Sequence, residues 1–443
     1  MKQIWILALA FLILQSNISF LAGVAPAKTT TGNLTVKGQW LFSYNGWTAA
    51  SPAQVNIYDL GPGSQLNLKG TCFTYPNGSF SCGPILNDDG SGNRLDIVVG
   101  IFANTSVCHI LDSSSNPYFN LTTTVWINCP DGTLDVGALH IRQDQTGAWL
   151  LDSWTFGIAG AWYRLYSVVG YNTPTVTVVW PFESWPHYHS GVEIDLPDWG
   201  WFFQDVFLHE YAHHVMYTIA NYLPSCLENH SITRTSDLST AWTEGWADFF
   251  PLWVLGHTKI VVTNGTHYGE IELENVNWNS SGWDDGGKVE GRVAGALLDI
   301  YDSTNDAPPW NYETLSDGIG RLWATMSQVC QEHKSTFEDF WKDWNATYYT
   351  HPIGPSSPYN LQDWGSTLMA IFQNSIDYRG LGDVNADGLV SMIDVGAIAR
   401  KFGSREGDAT WDYLYDVWPL NRDGRIDMKD IGLAASKYQT HYC

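Results

Sequence analysis

The chain has 443 residues, of which 44% are hydrophobic and only 15% are charged, and its formal net charge is −24. This length is too great for a single hydrophobic core, so the sequence predicts a multidomain protein. The acidic balance argues against nucleic acid as a partner, because phosphate binding requires clustered lysine and arginine. An acidic chain can simply be soluble or can hold cations, and the charge alone does not decide between these.

The N-terminus has the layout of a secretory signal peptide. MKQIWILALAFLIL combines one lysine with an apolar run, and small residues follow it. APA at residues 25–27 fits the small-x-small cleavage rule, so we expect a signal peptide over residues 1–27. Cleavage near residues 21–23 and an uncleaved anchor are the alternatives. The sequence therefore predicts a secreted or cell-surface protein with no membrane span after signal cleavage.

The cysteines suit an oxidising compartment. Seven lie after the predicted signal peptide, and none forms a C-x-x-C pair, so disulfides are expected rather than a thiolate zinc site. The expected pairs are Cys72–Cys82, Cys108–Cys129 and Cys226–Cys330, with Cys443 left over.

Glycosylation is also expected on this route. Asn-x-Ser/Thr sequons recur along the whole chain, and their density indicates a secreted glycoprotein. The sequon asparagines are Asn33, Asn77, Asn104, Asn120, Asn229, Asn264, Asn279 and Asn345.

Residues 28–150 have the pattern of an all-β domain. Runs such as AQVNIYDL and LDIVVGIFA carry β-branched and aromatic residues, and turn signals such as PNGS and NDDGSGN separate them. Short strands at this spacing predict a β-sandwich. The pattern resembles the small immunoglobulin-like or transthyretin-like modules that precede secreted peptidases.

Residues 151–378 follow a different pattern, in which a strand precedes several helices. TPTVTVVW reads as the strand. WFFQDVFLHEYAHHVMYTIANYL has apolar residues at helical spacing, and Asp198 is a candidate cap for its start. VAGALLDIYDS, IGRLWATMSQVCQEH and TFEDFWKDWNATYY are further predicted helices. The sequence thus predicts an α+β domain with a helical core.

The stretch FLHEYAHHVMY, residues 207–217, has the spacing of a metal site. His209 and His213 are four residues apart, so on a helix both imidazoles lie on one face and can bind one zinc ion. Glu210 lies between them, where its carboxylate can reach a water on the same metal. His214 is off this face, and we expect it to be a bystander.

Two histidines do not complete a catalytic zinc site, which needs three protein ligands and one open position. The segment TEGWADFF supplies a candidate third ligand, Glu244. Asp248 follows four residues later and so lies on the same helical face. The sequence therefore predicts a zinc centre built from two helices.

An H-E-x-x-H motif followed by E-x-x-x-D resembles the gluzincin metallopeptidases, the thermolysin-like class. This resemblance implies that zinc is bound by His209, His213 and Glu244. It also implies that Glu210 is the general base, which takes a proton from the zinc-activated water. Asp248 would then accept a hydrogen bond from the first histidine and orient it.

The same resemblance carries expectations for the flanking segments. TPTVTVVW would be an edge strand along which the substrate pairs. Candidates for holding the substrate or its oxyanion are Glu290, Arg292 and His267, with a structural role as the alternative for each. The segment between the two motifs, residues 214–243, is longer than in many members, and we expect it to loop out into solvent.

Residues 379–443 contain a repeated acidic loop followed by a short predicted helix. In DVNADGLVSMID the oxygen-bearing residues fall at the ligand positions of an EF-hand loop, with Gly388 at the sharp turn. The candidate ligands of the first calcium ion are Asp383, Asn385, Asp387, the carbonyl of Leu389, Ser391 and Asp394.

The second copy of the loop has the same spacing around Gly424 but has Pro419 at the first position. Pro419 has no side-chain oxygen, so we expect the second site to bind calcium more weakly, unless Asp416 reaches in from three residues upstream. The candidate ligands of the second calcium ion are Asn421, Asp423, the carbonyl of Arg425, Asp427 and Asp430.

The paired loop-then-helix repeat resembles a type I dockerin, a small all-α module. The resemblance implies calcium binding and docking on a cohesin-type domain of another protein through residues 379–443. A calcium-stapled tail without a protein partner is the alternative.

Together these features predict a secreted zinc-dependent endopeptidase that hydrolyses protein or peptide substrates and carries a dockerin-like calcium module. A non-catalytic surface or scaffold-associated binding protein with a structural zinc site is the alternative, and a zinc hydrolase acting on other bonds is a second. Glu210 favours an enzyme, because a structural site needs no base.

Overall fold

The computed structural model describes residues 32–44, 46–50, 52–103, 105, 107–157, 160–182, 185–227, 229–263, 268–304, 317–349, 361–418 and 422–442. The predicted signal peptide, His267, Pro419, Asn421 and Cys443 lie outside these residues. The chain divides into two compact units, Met1–His214 and Val215–Cys443. This boundary falls inside one continuous helix. In the described part of the chain, no helix combines the length and the apolar character that a bilayer span requires.

The first part of the chain is built from short strands, as the alternation of apolar and polar residues predicts. Along the first strand Leu34, Val36, Trp40 and Phe42 are buried and their neighbours are more exposed, which is the period of a half-buried strand. The strands are β1 (Asn33–Ser43), β2 (Trp47–Ala49), β3 (Gln54–Leu60), β4 (Leu66–Phe73), β5 (Ser79–Leu86), β6 (Ile97–Phe102), β7 (Cys108–Leu111), β8 (Phe119–Leu121) and β9 (Gly132–His140).

These strands form two four-stranded sheets, and one strand leaves for a third. One sheet has the order β2-β1-β5, with β9 parallel to β1. The second has the order β4-β3-β6-β8 and is antiparallel. β7 belongs to neither of them. The predicted domain limits at residues 28, 150 and 378 stay predictions.

The third sheet joins β7 to the strands after residue 175, which are β10 (Val176–Phe182), β11 (His187–His189) and β12 (Glu193–Pro197). Its order is β11-β12-β10-β7. The expected edge strand, TPTVTVVW, is therefore an interior strand, and that expectation is wrong. Val176, Val178 and Val179 are buried, and parallel neighbours pair with β10 on both sides.

The cysteines follow one of the three expected pairings. Cys72 and Cys82 form a disulfide between β4 and β5, which confirms that prediction. Cys108 and Cys129 are free, because Cys108 lies in the third sheet whereas the amide of Cys129 bonds the carbonyl of Leu95 beside β6. The expected Cys108–Cys129 disulfide is therefore wrong.

The Cys226–Cys330 pairing is also wrong, because both thiols are free. Cys330 is buried inside a helix, where its sulfur contacts the sulfur of Met326. Cys226 lies in an exposed connection, where its sulfur is 3.6 Å from the carbonyl oxygen of Pro224.

After residue 140 the described chain is mainly helical, apart from strands β10 to β12 and a small hairpin. The helices are α1 (Thr146–Phe156), α2 (Ala161–Arg164), α3 (Gln204–Ala220), α4 (Leu238–Leu255), α5 (Glu290–Tyr301), α6 (Gly318–Gln331), α7 (Phe337–Tyr348), α8 (Leu361–Gln373), α9 (Met392–Arg400) and α10 (Met428–Ser436). The hairpin is β13 (Lys259–Thr263) with β14 (Tyr268–Glu272).

The start of α3 differs from the sequence prediction. Asp198 does not cap this helix, because a separate 3-10 turn occupies Asp198–Phe202 and α3 begins only at Gln204. The carbonyl of Asp198 instead accepts a hydrogen bond from the indole of Trp180.

The acidic repeat shares a hydrophobic core with the helix that precedes it. Both repeats contribute apolar side chains, and the end of α8 joins them. The core residues are Phe372, Val384, Val390, Ile398, Leu414, Ile426 and Ala434, with Trp278 and Met369 packed against them. The repeat is therefore continuous with the helical region rather than hanging from it by a linker.

Candidate metal centre

Helix α3 carries the two candidate histidine ligands on one face and core residues on the other. Phe207, Tyr211 and Val215 are fully buried and hold the helix in place. The rings of His209 and His213 are 4.9 Å apart and nearly perpendicular. A four-residue separation on a regular helix therefore produces the side-by-side imidazoles that the sequence predicts.

Helix α4 carries the candidate glutamate ligand. Asp237 caps its start by accepting hydrogen bonds from two main-chain amides. Every residue from Thr240 to Val254 is buried, so this helix is fixed on all sides. Glu244 is 5% exposed, and Asp248 is equally buried one turn later.

Glycine at position 245 permits the close approach of α5 beside Glu244. A Cβ atom there would lie 2.7 Å from Val293 and 2.8 Å from the carbonyl oxygen of Glu290. Any larger residue would push these helices apart. Gly245 thus places the first turn of α5 against the turn of α4 that carries the candidate ligand.

The three candidate ligands converge. One ligand atom from each of His209, His213 and Glu244 lies within 4.8 Å of the other two, and this is the group that could hold a metal ion within the described part of the chain. Two imidazoles and one carboxylate are the donor set of a catalytic zinc site with an open fourth position. The residues present therefore fit zinc.

Glu210 and His214 are the residues next to the two histidine ligands on α3. Glu210 is 8% exposed and is not a member of the three-residue group. His214 turns away into the protein, where its Nε2 lies 3.0 Å from the carbonyl oxygen of Pro174 and its ring packs on Tyr188. Burial lowers the pKa of His214 to about 4. A neutral, buried His214 agrees with the expectation of a bystander.

The connection between the two motifs is exposed to solvent around Cys226 and Asn229, as expected, and its later part then packs back on the protein. Its second half runs beside the segment before α5, where the amide of Ser236 bonds the carbonyl of Lys288 and Thr235 bridges Val289. The amide of Gly291 bonds the carbonyl of Ile232 at 3.0 Å. This pairing returns the chain to the metal centre.

The returning segment brings in a histidine that sequence reasoning missed. Nδ1 of His230 lies 2.7 Å from Oε2 of Glu290, and its Nε2 lies 3.8 Å from Oε2 of Glu244. Local spacing gave no signal for His230, because its neighbours are set by pairing with residues far along the chain.

Of the three candidates for contacting the substrate, Glu290 lies beside the metal centre. It is 4% exposed at the first turn of α5. Burial raises the pKa of Glu290 to about 7, the hydrogen bond with His230 opposes the rise, and the carboxylates of Asp248 and Glu244 add to it.

Arg292 has a structural role. It is completely buried, donates to the carbonyls of Asp284 and Asn277, and forms an ion pair with Asp285. The guanidinium therefore fastens the loop before α5. His267 lies outside the described residues.

The first acidic loop has a closed network around its two end positions. Oδ2 of Asp383 accepts the amide of Gly388 at 2.9 Å. Oδ1 of Asp394 accepts the amide of Val384 at 3.0 Å, and its second oxygen bonds Ser391 at the start of α9. Main-chain amides of the loop therefore hold both end residues in place, although Asp383, Asp387 and Asp394 are not among the converging groups of metal-ligand atoms in the described residues.

Asn385 and Asp387, two further candidate ligands of the first calcium ion, form hydrogen bonds within the loop. The amide of Asn385 donates to Asp387, and Asp387 accepts the main-chain amide of Leu389.

The second loop repeats this network with a different first residue. Oδ2 of Asp416 accepts the amide of Gly424 at 2.8 Å. Oδ1 of Asp430 accepts the amides of Val417 and Trp418, which immediately follow Asp416. Asp416 therefore has the contact with the turn glycine that Asp383 has in the first loop, which is the alternative expected for this position. The sequence between Asp416 and Gly424 is three residues longer than that between Asp383 and Gly388, so the spacing of the first loop is not repeated in the second.

The other second-loop candidates lie after this insertion. Asp427 caps α10 and bonds Asp430 as Ser391 bonds Asp394 in the first loop. Asp423 pairs with Lys429 at 3.3 Å, and Arg425 bridges Arg405. Asn421 lies outside the described residues.

The first-position aspartates of the two loops, Asp383 and Asp416, are both buried, and the pKa of each is raised. Asp383 is 1% exposed and Asp416 is fully buried. Burial, reinforced by Asp394 and Asp430 respectively, raises the pKa of each to about 6. Oδ1 of Asp416 has no hydrogen-bond partner among the described residues. Each loop thus gathers buried carboxylates that a cation would stabilise.

Each loop is also braced by the chain that follows the other repeat. Val390 bonds Thr440, and the amide of Tyr442 bonds the carbonyl of Gly388. In the second loop, Ile426 bonds Ser404 and the amide of Glu406 bonds the carbonyl of Gly424. The segments after α9 and α10 are therefore exchanged between the repeats.

Comparison with known proteins agrees with the peptidase features. Residues 168–353 match the family described as the Mycolysin C-terminal domain, and this range contains α3, α4 and α5. The match supports a relationship between this segment and the secreted, thermolysin-like metallopeptidases. The matched segment is less than half of the chain.

No curated protein matches the chain. A solved structure of a 9R-lipoxygenase from Cyanothece PCC8801 is 14% identical, and the likeness covers 56% of this chain and 31% of that one. The chain thus spans about a third of the lipoxygenase. At a TM-score of 0.21 the likeness carries no argument about fold or function.

Proposed function

We propose that the protein is a secreted zinc-dependent endopeptidase. One observation carries the proposal, namely the convergence of His209, His213 and Glu244 within 4.8 Å on two buried helices. The Mycolysin match over residues 168–353 supports the peptidase class. The resemblance of the tail to a dockerin supports attachment of the enzyme to another protein.

The residues of this chain have separate roles in the proposed reaction. His209, His213 and Glu244 would hold a zinc ion, which when bound would supply Lewis-acid chemistry for the water and the scissile carbonyl. Glu210 takes the proton of the attacking water and returns it to the leaving amine. Asp248, one turn after Glu244, orients the first histidine.

The acidic tail would bind two calcium ions. The first site uses Asp383, Asn385, Asp387, Leu389, Ser391 and Asp394, and the second uses Asp416, Asn421, Asp423, Arg425, Asp427 and Asp430. The support is the matching network of the two loops, in which a buried first-position aspartate accepts the turn glycine in both. Calcium would remove the repulsion between the buried carboxylates of each loop.

The same tail is the proposed attachment surface for a cohesin-type domain. Large apolar side chains are exposed at equivalent places in the two repeats, with Met392 matching Met428 at the helix starts and Phe402 matching Tyr438 after the helices. Exposed apolar side chains in such a patch are typical of protein interfaces. Capture of the protein by an immobilised cohesin domain in calcium, but not after chelation, would support this.

The experiment that tests the enzyme is metal analysis combined with casein hydrolysis. The purified protein should contain one zinc ion at the His209 site and hydrolyse casein. Glu210→Gln should keep the zinc, because Glu210 is not a ligand, and lose activity by about 10²–10⁴-fold. Glu270→Gln, which changes an exposed acid on β14, is the matched control and should retain activity. Full activity of Glu210→Gln with zinc bound would contradict the mechanism.

A further inference from the structure

The first unit of the chain contains a cavity of about 750 Å³. Its walls come from the segment around β8, from the end of β9 with the turn that follows it, and from the end of β10. None of the candidate zinc or calcium ligands is among the described residues that line it. The volume falls in the range of about 300–1,000 Å³ that is usual for small-ligand sites. The cavity therefore has room for a small ligand, and the residues of the proposed reaction do not lie in it.

Aromatic side chains form part of the wall, and contacts within the protein hold them in place. The hydroxyl of Tyr118 donates to the carbonyl of Trp180 at 2.6 Å, and the centres of the two rings are 5.6 Å apart. The indole of Trp180 donates to the carbonyl of Asp198, and Phe119 stacks on Phe102. Because the polar atoms of Tyr118 and Trp180 are bonded inside the protein, these rings offer carbon surface to a ligand.

Amide side chains line the same cavity and are held in one orientation. Asn120 is 6% exposed, donates to the side-chain oxygen of Gln145 and accepts the main-chain amide of Arg142 at 3.2 Å. A primary amide has two N–H donors and two acceptor lone pairs, so Asn120 and Gln145 keep hydrogen-bonding capacity beyond these contacts. Three consecutive threonines, residues 122–124, add hydroxyl groups to the lining. The cavity thus offers fixed donors and acceptors beside its aromatic carbon surface.

The charged side chains of the lining disfavour an anionic ligand. Among them are three carboxylates, Asp112, Asp144 and Asp198, and one guanidinium, Arg142. Nε of Arg142 donates to Asp144 at 3.1 Å, and Asp112 accepts main-chain amides of its own turn. Burial raises the pKa of Tyr118, and all three carboxylates add to the rise, so they lie around its hydroxyl. With Arg142 and two of the carboxylates already bonded, the cavity favours a neutral polar ligand and has Asp198 as an available acceptor.

We propose that this cavity binds a short neutral oligosaccharide. A sugar ring has an apolar face of C–H groups and an edge of hydroxyl groups, so it matches a wall in which aromatic carbon lies beside amides and a carboxylate. The ring of Tyr118 packs on the sugar face, and the carboxylate of Asp198 accepts hydrogen bonds from the hydroxyls. The inference goes beyond the proposed peptidase function, because binding uses neither zinc nor Glu210.

The sequon at Asn120 bears on the same site. A glycan attached to Asn120 would fill the cavity, and its attachment requires the side-chain nitrogen that donates to Gln145. Because this nitrogen is bonded and the residue is 6% exposed, we expect Asn120 to be unmodified in the secreted protein.

The test is titration calorimetry on the full-length protein with four neutral trisaccharides, namely cellotriose, mannotriose, galactotriose and tri-N-acetylchitotriose. Trigalacturonic acid and trilysine are the anionic and cationic probes. The variants are Tyr118→Ala, Tyr118→Phe and Asp198→Ala. The matched control is Tyr75→Ala, which removes a 59% exposed tyrosine outside the cavity. The melting temperature of each variant shows whether it folds.

At least one neutral trisaccharide should bind at one site per chain, whereas trigalacturonic acid should not bind. Tyr118→Ala should weaken binding about 10-fold, because the surface that packs on the sugar face is lost. Tyr118→Phe should stay within a few-fold of the parent, because the hydroxyl is bonded to Trp180 and not to the ligand. Asp198→Ala should weaken binding by about 10- to 100-fold, because it removes a charged acceptor. Tyr75→Ala and Glu210→Gln should match the parent.

Four results would overturn the inference. The first is that no neutral trisaccharide binds. The second is binding of trilysine alone, which would make the cavity a site for basic peptides. The third is unchanged affinity in folded Tyr118→Ala and Asp198→Ala variants, which would place the sugar elsewhere. The fourth is a glycan on Asn120 in the mass spectrum of the digested protein.

The outcome is separate from that of the peptidase test. If Tyr118→Ala does not fold, Asp198→Ala and Tyr118→Phe still decide. A parent protein that hydrolyses no casein would remove the proposed peptidase function and leave this inference in place.

Discussion

The metal centre on α3 and α4 and the acidic tail are both sets of ligands spaced along the sequence, but they are built on different supports. His209, His213 and Glu244 stand on regular helices whose rise per residue is fixed. The acidic ligands stand on loops, where three extra residues shift Asp416 out of register without changing its contact with Gly424. Sequence spacing therefore carries geometric information in helices that it does not carry in loops.

The same difference explains which parts of the site could be predicted. The shared face of His209 and His213 follows from helical periodicity alone, and Glu244 follows from the spacing of its own helix. His230 could not be found in this way, because pairing between residues 232–236 and 284–291 brings it to Glu290. That pairing is non-local and leaves no periodic signal.

For the fold, too, local sequence patterns predict single elements but not their non-local pairing. The burial pattern of β1 and the helices α3 and α4 agree with local patterns of apolar residues. The interior place of β10 does not follow from its own sequence, because it depends on β7, which arrives from residues 108–111. The predicted Cys108–Cys129 disulfide was wrong for the same reason, because pairing with distant strands decides which sheet contains Cys108.

The largest expected effect comes from breaking the helix-borne site. Glu244→Ala should remove zinc, because two imidazoles alone leave the ion without its third protein ligand. Asp248→Ala should reduce zinc affinity by only about 10- to 100-fold, because Asp248 acts on a ligand and not on the metal. Zinc titration against a competing chelator measures both. Equal affinities for Glu244→Ala and the parent would assign the third ligand elsewhere.

The loop-borne sites should respond to their first-position acids. Asp383→Ala and Asp416→Ala should each eliminate one of two calcium sites, because ligand charge and number set calcium affinity. Titration calorimetry on the full-length protein counts the remaining sites. Asp412→Ala, which removes a nearby acid outside both networks, should leave two. Two intact sites in Asp416→Ala would show that the second loop does not use that residue.

The exchanged segments offer a smaller and more selective test. Tyr442→Pro removes the amide that bonds Gly388 and should weaken the first calcium site, whereas Glu406→Pro removes the amide that bonds Gly424 and should weaken the second. A lost main-chain hydrogen bond is worth about 1 kcal/mol, which is a change of several-fold in affinity. Tyr442→Ala keeps the amide and separates the effect of the ring. Weakening of the same site by both proline variants would contradict the exchange.

The smallest expected effect concerns the junction between the tail and the helical region. Arg422 forms an ion pair with Asp377 at 2.8 Å and stacks 4.1 Å over Trp278, so it joins the second repeat to the end of α8. Because the Arg422 side chain is mostly buried, Arg422→Ala should destabilise the protein by about 1–3 kcal/mol.

Urea unfolding with calcium present, followed by tryptophan fluorescence and by far-ultraviolet circular dichroism, measures this loss. The shared core around Phe372 predicts that the tail and α8 unfold together, so both signals should move to lower urea by the same amount. Lys437→Ala, which removes a cation from the chain after α10, is the control. If Arg422→Ala instead splits the transition in two, the tail is an independent folding unit. The regular helices and the acidic loops would then be separate in stability as well as in the information that their sequences carry.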